Sequence, residues 1–243
     1  MIILGLETSG QPGSVALLGE TGVLAFSNYD QPNSHAEQLI EHIESALSSA
    51  NCSSQEIGKI AVGNGPGNFT GLRMGMALAG GMAMALHIPI TGVCSLAAIA
   101  CAIHAPDIAI RFALRDARRG ELFCAAFTDL GQILIAPSLV RVDQFDAWLS
   151  SHASSYMRGD MQWAVAGDGL KHLDVHSLRA RGAYVPEGAT NLLPDARQTA
   201  MLGARMQAPE SVVPDYVREA DVILPNLARN SQVESILAQG TRS

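Results

Sequence analysis

The sequence predicts a mixed α/β fold in two lobes, and three observations predict it. Each half of the chain opens on short apolar strands and continues into helix-patterned segments, an order that suits sheets with helices packed on them. The pattern breaks at Ala105-Pro106-Asp107. With 243 residues, 48% hydrophobic and 16% charged, the chain is long and apolar enough for two modest lobes with sizeable cores. The lobes are placed at 1–105 and 106–225, with a polar tail at 226–243.

The first lobe starts with MIILGLE, SVALLG and VLAFSN, separated by the turns GQPG and ETG. Apolar runs of this length between Gly/Pro turns read as an antiparallel meander. A helix follows over 34–50. Ser34 with Glu37 three residues on makes a capping box. Leu39, Ile40, Ile43, Ala46, Leu47 and Ala50 recur at helical spacing, with Glu37, Glu41 and Glu44 on the other side. KIAVGNG at 59–65 is a buried strand ending in glycine. A Gly-rich loop leads into a helix over about 70–86, then a strand at 88–93 and a short apolar helix at 95–103.

The second lobe repeats the start. Strands are predicted at 108–115 and 121–127 around the turn DARRG, and at 133–140, interrupted by Pro137. A helix is predicted at 143–151, a strand at 163–166 ending in GDG, and a last helix at 194–207. Whether the segment after Leu192 returns to the first lobe stays open.

Composition excludes some functions. The net charge is −7 and no run of Lys or Arg occurs, which argues against tight direct binding to a nucleic-acid backbone. The four cysteines form no CxxC pair and sit in apolar segments, as reduced thiols do in a cytoplasmic protein. The start lacks a basic n-region and soon meets Glu7, so no signal peptide is expected. The longest uncharged apolar run, 74–86, is shorter than a membrane span. No membrane contact is expected.

The loop GNGPGNFTGLRMG at 63–75 resembles a phosphate cradle, yet it matches neither GxxxxGK[ST] nor GxGxxG, because Thr70 stands where the last glycine would. Glycines at 63, 65, 67 and 71 with a capping Asn68 or Thr70 suit an anion cradle and a tight structural turn equally. The helix after it carries two ridges. Gly71, Gly75, Ala79 and Ala83 form a small one, and Met74, Leu78, Met82 and Leu86 a large, adaptable one. Arg73 is its one charge. A helix apolar all round is covered by its own core or by a partner, and both readings stay open.

The blocks LETSG (6–10), SHAEQL (34–39), GNGPGNFTGLRMG (63–75), GVCSLAAIA (92–100), RDARRGELF (115–123), GDG (167–169) and PDYVR (214–218) occur in an order that resembles the TsaB (YeaZ) family. GPGxFTGLR is the specific block; GDG and PxYxR are informative only in order. The resemblance implies an actin-like, sugar-kinase/Hsp70 type (ASKHA) fold with two related lobes. It implies a cytoplasmic, non-catalytic subunit for threonylcarbamoyl transfer to adenosine 37 of tRNAs reading ANN codons. It implies pairing with a TsaD-like paralogue, recruitment of a TsaE-like ATPase, a homodimer when alone, and only indirect contact with tRNA. The partner surface expected is Leu39, Ile43, Thr70, Gly71, Arg73, Met74, Gly75, Leu78, Ala79 and Met82, and Gly75→Leu or Ala79→Glu is expected to block pairing without unfolding the chain.

TsaD-like members carry an HxxxH metal pair where this sequence has Ser95 and Ile99. Neither side chain replaces imidazole, so no metal and no catalytic residue is assigned. No cofactor is assigned either, an ATP or ADP at a partner interface being left open. The weak candidates for nucleotide contact are Glu7, Thr8, Ser9 and Asp116, the last reading better as a turn-capping residue beside Arg118 and Arg119. His35 and His42, seven apart, suit a solvated face; His172 and His176 are read as loop residues. A metallopeptidase of glycoprotease type and a sugar-kinase-like ATP-dependent enzyme are the alternatives.

Overall fold

The computed structural model describes residues 1–29, 35–105, 107–153, 163–207 and 212–217. Strands β1 (Ile2–Glu7), β2 (Gly13–Gly19) and β3 (Gly22–Tyr29) form the meander that the apolar runs predict. Helix α1 (His35–Ser49), β4 (Ile57–Gly65), α2 (Phe69–Leu86), β5 (Ile90–Cys94) and α3 (Ser95–Cys101) complete the first lobe. The expected capping box at Ser34 lies outside the described residues.

The second lobe runs β6 (Ile110–Arg118), β7 (Glu121–Phe127), β8 (Ile133–Arg141), α4 (Phe145–Ala153), β9 (Trp163–Ala166), α5 (Val175–Ala180), β10 (Ala183–Tyr184) and α6 (Ala196–Arg205). Sheet order is β3-β2-β1-β4-β5 in the first lobe and β10-β9-β6-β7-β8 in the second. In each, the first strand pairs antiparallel with the second and parallel with the fourth. The lobes are two copies of one topology, the two-lobed actin-like fold that the resemblance implies.

Three local expectations are corrected. Pro137 does not interrupt β8: the strand runs through it, and the lost N–H is absorbed by a register shift between Cys124 and Ala126 of β7. The turn in DARRG begins later than Asp116, because β6 continues to Arg118. Arg118, Arg119 and Gly120 then take φ of 67°, 57° and 74° at the hairpin tip. His172 ends a 3-10 turn while His176 lies in α5, which Asp174 caps by accepting the His176 N–H at 2.9 Å.

β1 explains how the layers meet. Leu4 and Leu6 point to one face, where they pack with Leu39, Ile43, Ala46 and Ala79 of α1 and α2. Ile3 and Gly5 point to the other. A side chain on Gly5 would come within 2.3 Å of the Ala196 carbonyl, so α6 sits directly on the strand. The last helix of the second lobe thus packs on the first sheet, while α3 packs on β6 and β7. Lys59 of β4 holds the end of α6, its ammonium donating to the carbonyls of Gly203 at 2.6 Å and Met206 at 2.5 Å. Val93, Leu96 and Ile99 join Phe112, Leu114 and Leu122 in one core that spans both lobes.

α2 has 18 residues and enough apolarity to cross a bilayer by length and composition, more than the 74–86 run alone suggests. In this fold its Gly71, Leu72, Gly75, Ala79 and Ala83 are buried against the chain's own β1 and β4.

Candidate functional site

The lobes face each other across a cleft of about 570 Å³, lined among others by Ser9, Gln11, Phe69, Arg115, Asp168 and Tyr216. Five segments bring these side chains together: the β1–β2 turn, the Gly-rich loop and start of α2, the end of β6, the turn after β9, and residues 212–217.

Glu7 ends β1 and is 1% exposed. Its carboxylate accepts the Ser9 N–H at 2.9 Å, the Ser95 hydroxyl at 3.2 Å and the Thr199 hydroxyl at 3.3 Å. Gly63 leaves room for it, since a Cβ there would lie 2.3 Å from Oε2. Glu7 is therefore the hub of a buried network joining β1, α3 and α6, rather than an acid presented to the cleft. Buried carboxylates need such donors. Thr8 is buried, with its hydroxyl turned to Gly75 and without a partner among the described residues.

Ser9 is the junction between lobes. Arg115 reaches across from β6 and donates to the Ser9 hydroxyl at 2.7 Å, the Ser9 carbonyl at 2.7 Å and the Pro66 carbonyl at 3.0 Å. Burial pushes the Arg115 guanidinium below its usual range, with Glu7 and Asp168 pulling it back. The Ser9 carbonyl also accepts the Asn68 N–H at 2.6 Å. Asn68 in turn caps α2 by accepting the Gly71 N–H at 3.0 Å. The amides of Asn68 and Gly71 are thus spent on the chain's own acceptors. These bonds are the ones a tight structural turn requires.

Asp116, near the end of β6, is tied to the hairpin tip. One oxygen accepts the Arg118 N–H at 2.7 Å, and the other pairs with Arg118 at 3.5 Å and His172 at 3.4 Å. Its own N–H goes to Asp168 at 3.0 Å. Burial alone would raise its pKa, but the Arg118 N–H and His172 outweigh it and hold the carboxyl below its ordinary value.

The expected partner residues divide. Leu39, Ile43, Gly71, Gly75 and Ala79 are buried in the chain's own core, and this corrects their placement on a surface. The reason is close packing: a Cβ at Gly75 would meet the Thr8 hydroxyl at 2.1 Å, and one at Gly71 the Thr8 carbonyl at 2.1 Å. Gly75→Leu and Ala79→Glu are consequently core lesions. Met74, Leu78 and Met82 are half-buried and pack against the same core. Thr70 and Arg73 are exposed, as are Ala77, Gly81 and Met84, the last at 78%. The outward face of α2 is this second small stripe. On α1 it is flanked by Glu37, Ile40, Glu41 and Glu44, all exposed. His42 is half-buried beneath, bonded to the Ser27 hydroxyl and stacked on Tyr29; the side chain of His35 is outside the described residues.

Sequence reasoning missed Arg115, Ser95, Thr199 and Lys59 as structural partners. A charged residue inside an apolar strand was the available signal for Arg115 and Lys59, because such groups are rarely buried without a dedicated partner.

Residues 30–164 match the family model described as TsaD: tRNA N6-adenosine threonylcarbamoyltransferase. The chain is 35% identical over 128 residues to the tRNA threonylcarbamoyladenosine biosynthesis protein TsaB of Bacillus subtilis (strain 168), and 33% identical over 128 residues to that of Escherichia coli (strain K12). Each match covers 52% of this chain and 55% of the relative, so the chain spans about half the length of the curated relatives it matches. The structure of YeaZ from Pseudomonas aeruginosa is similar with a TM-score of 0.67 and 26% identity, covering 88% of this chain and 99% of that one.

Proposed function

The chain belongs to the TsaD family, and within it resembles the TsaB (YeaZ) members; from that premise we propose that it is an accessory subunit in threonylcarbamoyladenosine biosynthesis on tRNA. In this reading it does not catalyse the transfer. It pairs in the cytoplasm with a TsaD-like paralogue that carries the chemistry, and the pair recruits a TsaE-like ATPase. The modified position is adenosine 37 of tRNAs reading ANN codons, contacted through the partners rather than by this acidic chain. Alone, the chain pairs with itself.

The observation that carries the reading is where the catalytic-type positions point. Glu7 is saturated by Ser9, Ser95 and Thr199. Ser95 and Ile99, which stand at the metal-pair positions of TsaD-like proteins, are fully buried, one bonded to Glu7 and one in the core. These three side chains are spent on the fold rather than presented to the cleft, which supports a non-catalytic role. The apolar outward face of α2, with Ala77, Gly81 and Met84 exposed, supports docking of another protein. The sugar-kinase-like alternative draws on the interlobe cleft alone.

Size-exclusion chromatography with light scattering tests the proposal, on the chain alone and mixed with the TsaD-like paralogue of the same genome. A heterodimer that replaces the homodimer is expected, and Ala77→Glu, on the exposed face, abolishes it without unfolding the chain. No association at any practical concentration overturns the reading, and ATP turnover by the lone chain then favours the kinase alternative.

A further inference from the structure

After α6 the chain returns to the first lobe as a strap, residues 212–217, which crosses the ends of β4 and β5 and finishes on the start of α2. The Asp215 N–H donates to the Asn64 carbonyl at 2.7 Å, and the Asn64 amide donates to the Val213 carbonyl at 3.3 Å. Two glycines make the seat. A Cβ at Gly92 would lie 2.8 Å from Val212, and one at Gly65 would lie 2.7 Å from the Asp215 carbonyl. Tyr216 ends the strap on α2. Its ring packs on Phe69 with centroids 5.2 Å apart, and its oxygen accepts from Arg73 Nε at 2.9 Å. The Arg73 guanidinium lies 3.8 Å over the Phe69 ring.

Val212 and Val217 anchor the ends of the strap on the two cores, and the side chains between them are lightly held. Val213 is 64% exposed and Tyr216 40% exposed, and the strap forms no strand ladder with β5. Segments with few buried apolar contacts open at low cost. Phe69 and Arg73 beneath it are the residue types that dominate protein–protein contacts: an aromatic and an arginine on a helix end, with Arg73 at the head of the exposed α2 stripe.

We propose that residues 212–217 form a self-masking strap, in which Tyr216 occupies the Phe69–Arg73 platform that the protein partner takes when it docks on α2. This rests on the reading of α2 as the partner surface and adds its regulation. The partner group that replaces Tyr216 has the same chemistry: a phenol or carboxylate oxygen for Arg73, next to an apolar or aromatic body for Phe69. Because Tyr216 also lines the interlobe cleft, release of the strap opens one wall of the cleft as the partner binds.

The test uses the full chain and the TsaD-like paralogue, with affinity by calorimetry and hydrogen exchange of the Val213, Asp215, Tyr216 and Val217 amides. Docking is expected to speed exchange at Asp215. Tyr216→Ala is expected to tighten partner binding about five- to tenfold, corresponding to roughly 1 kcal/mol or slightly more, and Tyr216→Phe to give a smaller share. Arg73→Ala weakens binding. A complex that forms while Asp215 stays protected, or that Tyr216→Ala weakens, overturns the masking strap and leaves the accessory-subunit reading standing. No complex with the parent chain or any variant overturns both.

Discussion

At the scale of the residue, this chain spends its polar side chains on holding loops together. Glu7 accepts from one backbone amide and two hydroxyls. The hydroxyls can turn, but the Ser9 N–H cannot, so Glu7→Leu leaves a buried fixed donor without its acceptor. A loss of about 1–3 kcal/mol in stability is expected, measured by urea denaturation, and a change within experimental error would remove Glu7 from its hub. Asp116 offers a pH test. Its carboxyl is held below the ordinary 3.8, so the folded hairpin prefers the ionised form. The stabilisation is fully present above 3.8 and is lost as pH falls through the lower folded value. NMR titration of Asp116 should give a midpoint below 3.8, and His172→Ala should move it upward.

At the scale of the element, α2 carries two small-residue stripes with opposite fates. Gly75 faces Thr8 at a separation that no Cβ tolerates, while a Cβ at Gly81 would meet nothing within 4 Å. Both substitutions to alanine improve helix propensity by up to about 1 kcal/mol. At Gly75 the collision reverses the sign, with a net loss of about 1–3 kcal/mol. At Gly81 the gain of roughly 0.5–1 kcal/mol remains. Thermal unfolding of the two variants should therefore move in opposite directions, and a parallel shift would mean that the helix is rotated from its position here. The stripes also show how far pattern reading goes. The sequence marks α2 as apolar and small-faced, but it cannot say which stripe lies inward, because that is decided by Thr8 on the loop beyond β1, some sixty residues earlier.

At the scale of the whole molecule, the described residues join the lobes through α3 on the second sheet, α6 on the first, Arg115 between the loops and the 212–217 strap on β4 and α2. A core continuous across both lobes predicts one cooperative transition. Both tryptophans, Trp148 and Trp163, are in the second lobe, so their fluorescence follows that lobe while far-UV circular dichroism follows both. The two transitions should coincide in the parent chain. Arg115→Met leaves the Ser9 and Pro66 carbonyls without this donor and should lower stability by on the order of 3 kcal/mol, still in one transition, because the two exchanged helices remain. Separated transitions would show that Arg115, rather than the helices, unites the lobes.

Local chemistry determined much of this protein from sequence alone. Period-two and period-3.6 patterning with Gly and Pro punctuation located the strands and main helices, and the duplicated order of elements gave two lobes. These features depend on neighbours within a few residues, so they are written locally. The roles of Glu7, Arg115 and the α2 stripes were decided by tertiary structure. Each depends on a partner brought from far along the chain: Thr199 and Ser95 to Glu7, Ser9 to Arg115, Thr8 to Gly75. An acid after the first strand reads the same whether it faces a ligand or three internal donors, and only the packing of α3 and α6 over β1 makes it internal here.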